Sequence, residues 1–98
     1  MLIWNTTPII VLADEISVKV RQIDAAIDWE NLSPEKNEAL TKAKMELLSK
    51  ISFSKLEAES GRVGHYVDVQ EITNKICHAF GTYLSVVEQT FPYWNVNY

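Results

Sequence analysis

The stretch DVQEITNKICHAFGTYLSVVEQTF, residues 68–91, carries the clearest helical signal in the chain. Its apolar residues Val69, Ile72, Ile76, Phe80, Tyr83, Val87 and Phe91 recur at spacings of 3, 4, 4, 3, 4 and 4. That rhythm puts all seven on one stripe of a helix and on neither face of a strand. Asp68 precedes the stripe and Glu71 follows it by three residues, the spacing of a capping box whose first carboxylate accepts from free N–H groups of the opening turn. Pro92 ends the pattern, having no N–H to continue it. Gly81, inside the stripe, is about 1 kcal/mol less favourable than alanine. It is expected to mark a close helix crossing, and Cys77 to sit as a small buried thiol.

Two earlier segments carry the same kind of signal. Thr7-Pro8 reads as an N-cap and first helical residue, followed by Ile9, Leu12, Ile16, Val20, Ile23 and Ile27 at helical spacing. A strand is the rival reading, because Ile16, Val18 and Val20 alternate with Ser17 and Lys19. Length favours the helix, since the stripe outlasts the alternation several-fold. Val11, Val18 and Ala25 form an apolar flank seven residues apart, wider than one neighbour needs. The helix is expected to end near Asp28-Trp29, with Glu30-Asn31-Leu32 as the connection.

Ser33-Pro34 opens the second helix, with Glu35 and Glu38 matching the positive end of its macrodipole. Its main face carries Ala39, Leu40, Ala43, Leu47, Ile51 and Ala58, with Leu48 at one edge. Met45, Phe53 and Leu56 fall on the far side of the wheel. Either the helix kinks among the serines of residues 49–54, or it is gripped from two sides. Gly61 is the expected stop, residues 61–67 the second connection, and Gly64 a candidate for positive φ.

These readings predict an all-α fold, an antiparallel three-helix bundle in one domain spanning residues 1–98, with helices at roughly 8–28, 34–60 and 69–91. The second helix is the longest. The aromatic C-terminal tail, from Phe91 through Tyr93 and Trp94 to Tyr98, is expected to be ordered, either capping the bundle beside Trp4 and Trp29 or anchoring a partner.

A chain of 98 residues buries about 65% of its unfolded surface. Nine basic against thirteen acidic residues give a net charge of −4, which disfavours attraction to nucleic acid or anionic membrane. Basic residues on the second helix are interleaved with acids, and the third offers only Lys75, too little for a DNA-recognition helix. The lone Cys77 cannot form an internal disulfide, which points to a reducing, cytoplasmic setting. The apolar run of residues 1–4 has no Lys or Arg before it, so no secretory signal is expected, and no stretch is long enough to span a membrane.

Motifs for chemistry are sparse. Cys77 and His78 are adjacent and diverge by about 100° on a helix, so they cannot address one metal or substrate atom together. His65 lies in the glycine-flanked connection, and there is no HExxH, CxxC or phosphate-binding glycine loop. We therefore expect no catalytic residue, no metal and no cofactor, and do not expect an enzyme. Asp24, Asp28, Glu30, Glu35 and Glu38 gather where the first helix meets the second; they read as turn and dipole chemistry, or more sharply as a patch for a basic partner.

The sequence thus points to a small acidic protein-interaction module, of the size and class of inhibitors, immunity proteins, antitoxins and phage-encoded modulators. Its expected partner is another protein with a basic surface. The expected contact residues are Met45, Phe53, Leu56, Asp24, Asp28, Glu30, Tyr93, Trp94 and Tyr98. The alternative is a structural homo-oligomer, a helical dimer without catalytic activity; self-association and binding of a different protein are compatible, and a homodimer that binds another protein is expected.

Overall fold

The computed structural model describes residues 2–3, 7–62 and 67–92, with side chains over 7–59 and 68–92. It is a helical bundle in which α1 (Thr7–Ala26), α2 (Pro34–Arg62) and α3 (Val69–Thr90) make an elongated body of 49 × 22 × 18 Å. α2 lies against both of the other helices and packs most extensively on α3. Tyr93, Trp94 and Tyr98, and with them the expected ordered tail, lie outside the described residues, as do Trp4 and His65.

α2 and α3 begin where their cap chemistry directs, while α1 begins at Thr7 itself. At α3 the Asp68 carboxylate accepts from the Glu71 N–H at 3.0 Å, satisfying one of the donors a helix start leaves free. At α2 the Ser33 hydroxyl accepts from the Lys36 N–H at 3.3 Å and the Ser33 carbonyl from the Asn37 N–H at 3.0 Å. α1 stops earlier than expected, at Ala26, and the chain turns through a 3₁₀ segment at Trp29–Asn31. Here the Asn31 and Leu32 N–H groups bond to the Asp28 and Trp29 carbonyls, so the tight corner keeps its backbone paired.

Hydrogen bonding by Glu71 holds the Asp68 carboxyl below its usual value of 3.8. The charged cap therefore supports the fold fully above that pH and is lost as pH falls through the lowered value. Asparagine caps as well but does not titrate. Asp68→Asn should flatten the acid side of the stability profile below the ordinary carboxyl value of 3.8, read as thermal midpoint against pH. An unchanged acid limb would remove this cap from the acid response.

The core follows the predicted stripes with local exceptions. Ile9, Ala13, Ile16, Val20, Ile23 and Ile27 of the first segment, Leu40, Leu47, Ile51 and Ala58 of α2, and Ile72, Ile76, Tyr83, Leu84 and Val87 of α3 form one buried cluster. Ala13 and Leu84 join it although neither lies on the counted spacing, because the buried face of a helix between two neighbours is broader than one stripe. Ala39, expected in the core, is exposed.

A two-residue antiparallel backbone pairing, unexpected from the sequence, links Leu2–Ile3 to Val67–Asp68, with Leu2 opposite Asp68 and Ile3 opposite Val67. It ties the start of the chain to the connection before α3 without adding a layer to the helical architecture. α2 runs as one uninterrupted helix through its serines. Ser54 is buried, yet its hydroxyl donates to the Lys50 carbonyl at 2.9 Å, which spends the polar group inside the helix rather than against it. Gly81 marks no crossing, since a Cβ there would meet nothing within 4 Å. Cys77 is exposed rather than buried, being one residue past Ile76 and so turned about 100° off the core.

Candidate interaction surface

The outward face of α2 is set by how α1 and α3 grip its flanks. Lys44 Nζ lies 2.9 Å from Asp24 Oδ1, and Lys55 Nζ 2.8 Å from Asp14 Oδ1. Numbers rise along α1 as they fall along α2, so the two helices run antiparallel with one flank of α2 against α1. On the other flank, Ala43, Glu46, Leu47 and Lys50 line a groove with Lys75, His78, Thr82 and Tyr83 of α3. The face between these flanks and opposite Leu40, Leu47, Ile51 and Ala58 is covered by nothing within the described residues.

Met45, Phe53 and Leu56 stand on that face, 60%, 65% and 59% exposed. Among the described residues nothing grips the helix from a second side: the continuous helix turns all three outward. Leu48 is at the edge toward α1. Beside the apolar strip runs a shallow groove lined by Met45, Glu46, Ser49, Lys50, Phe53 and Glu57, with Lys75 of α3 at its border. Val11 and Val18 of the α1 flank are also exposed, together with Ala25.

The acidic corner divides in the structure. Asp24 is engaged internally: its carboxylate pairs with Lys44, and its carbonyl accepts from Trp29 Nε1 at 3.1 Å. Lys44 Nζ also lies 5.4 Å from the centre of the Trp29 ring, a cation–π contact. Asp24, Trp29 and Lys44 thus brace the junction between α1 and α2. Sequence spacing could not reveal this, because Lys44 is 20 residues from Asp24. Asp28 accepts from the Asn31 amide beside the 3₁₀ turn, while Glu30 and Glu35 are exposed.

Tyr83 is buried on α3, its ring stacked near that of Phe80 at 6.5 Å between centroids. Burial, with the charge of Asp24 adding to it, pushes the phenol from 10.0 up to about 12. His78 is exposed, and among the described residues no group of three or more His, Cys, Asp or Glu is placed to hold a metal ion. No helix among them is long and apolar enough to cross a membrane. No protein-family model, curated protein or solved structure matches this chain.

Proposed function

We propose that this protein is a non-catalytic interaction module that acts by docking the outward face of α2 on a protein partner, in the manner of small inhibitors and immunity-type modulators. One observation carries the reading: Met45, Phe53 and Leu56, three large apolar side chains, stay well over half exposed directly opposite the core. Exposed hydrophobes scattered singly are ordinary on any surface, whereas three along one helix face with a groove beside them have the form of a helix-borne contact. The exposed Glu30 and Glu35, with Asp28, would add orientation toward a basic rim. Met45 and Phe53 suit the anchor role, one adaptable and one aromatic.

The test compares tagged wild type with the Met45→Asp, Phe53→Asp double variant in capture from the source lysate, followed by affinity measurement on the protein recovered. Loss of two buried anchors should weaken that complex by roughly 100-fold or more. Stability should change little, because neither residue contributes to the core. Equal capture and affinity in both proteins would overturn the reading.

A further inference from the structure

We infer that the occupant of the α2 face is a second copy of this chain, paired antiparallel about a two-fold axis beside Ser49; the inference rests on the docking role proposed for that face. The outward strip consists of Lys42, Met45, Ser49, Phe53 and Leu56, which lie at −7, −4, 0, +4 and +7 from Ser49. The spacing is symmetric. An antiparallel two-fold pairing centred on residue 49 brings each position level with the one equally far on the other side of Ser49 in the second copy. Met45 then lies level with Phe53 of the second copy, and Lys42 with Leu56 of the second copy, each contact occurring twice. A methionine against an aromatic ring is a favourable contact, and the aliphatic stem of a lysine covers a leucine while its head stays in water. Ser49, small and at the centre, lets the helices approach.

Charge complementarity supports the same register. At about 100° per residue, Glu46, Lys50 and Glu57 lie on the α3 side of the strip, and Lys42, within the strip, leans toward that side of Ser49. In the two-fold arrangement this side of one copy faces the same side of the other. Lys42 is then level with Glu57 of the second copy to within one residue, and Glu46 with Lys50 of the second copy to within two. The Lys42–Glu57 pair opposes unlike charges at both ends of the strip, and at the centre Glu46 of each copy offsets the approach of Lys50 to its own symmetry mate, which is also two residues off level. None of the three ion pairs described within the chain uses any of these four residues. The strip from Lys42 to Leu56 is only about 21 Å long, so the dimer is expected to be weak, with a dissociation constant of roughly 100 µM.

The experiment is light scattering and sedimentation of the full chain across about 10 µM to 1 mM. Wild type should rise from 11.2 kDa to twice that mass, and Met45→Asp with Phe53→Asp should remain at the monomer mass. The register is tested by Lys42→Glu, expected to weaken self-association about tenfold, and by Lys42→Glu with Glu57→Lys, expected to restore most of it. Ser49→Cys in a Cys77→Ser background should cross-link to a dimer under mild oxidation, while Val18→Cys in the same background should not. A wild-type monomer at the highest concentration overturns the inference. So does a dimer that survives Met45→Asp with Phe53→Asp and lacks the Ser49→Cys cross-link. If wild type is monomeric yet captures a different protein in a Met45- and Phe53-dependent way, the second copy is wrong and the docking role stands. If neither occurs, both fall.

Discussion

Ile76→Ala should destabilise the fold by about 2–5 kcal/mol, a large share of the roughly 5–15 kcal/mol expected for a domain this size. Ile76 is 0% exposed at the middle of α3, inside the cluster that joins all three helices. Truncation loses the transfer free energy of its methyl and methylene groups and leaves a cavity that three packed helices cannot close without shifting together. The check is urea unfolding with slope and midpoint both fitted, where a lower midpoint at unchanged slope reports lost native stability. Val18→Ala supplies the contrast. Val18 lies on the outward side of α1, and alanine is the better helix former, so the change should stay within about 0.5 kcal/mol. Equal losses at the two sites would mean that the assigned core is wrong.

The second large effect is expected at alkaline pH and belongs to Tyr83. The folded protein holds this phenol neutral up to about 12, against 10.0 ordinarily, chiefly because burial disfavours the phenolate and secondarily because Asp24 repels it. The unfolded chain releases the proton first. Above pH 10 the unfolded state therefore binds fewer protons than the folded one, and stability falls as pH rises until the folded-state value is passed. At 1.36 kcal/mol per unit, the two-unit difference corresponds to a loss of about 2–3 kcal/mol across that window. Lysines titrate in the same range, so the informative quantity is the difference between wild type and Tyr83→Phe, which keeps the ring and removes the proton. The wild type should lose stability more steeply between pH 10 and 12. A tyrosinate absorbance titration, taken as the difference between the two proteins, should place the missing transition near 12, and Asp24→Asn should move it down. Parallel stability curves would show that Tyr83 ionises as freely as in water.

Much of the architecture is legible in local patterns because helices are specified locally. The stripe from Val69 to Phe91, the Asp68 cap and Ser33-Pro34 each act within a few residues of themselves, and α2 and α3 begin where those residues direct. The site was half legible. Periodicity turns Met45, Phe53 and Leu56 away from Leu40 and Leu47, but it leaves open whether the helix bends, finds a second neighbour or leaves them bare. Serines in residues 49–54 resemble a break in sequence, and only the bond from Ser54 to the Lys50 carbonyl shows that the helix absorbs them.

Local patterns alone specify three helices, where two of them start, and which stripe of each is apolar, because capping and a 3.6-residue period depend on neighbours within one or two turns. Packing of the three helices against one another settled the rest. It set Asp24 against Lys44 and Trp29, put Ala13 and Leu84 in the core, turned Cys77 outward, and left Met45, Phe53 and Leu56 of α2 exposed. Those outcomes depend on the directions from which α1 and α3 approach α2. Contacts between residues twenty or more positions apart set those directions, and the spacing within any one helix carries no record of them.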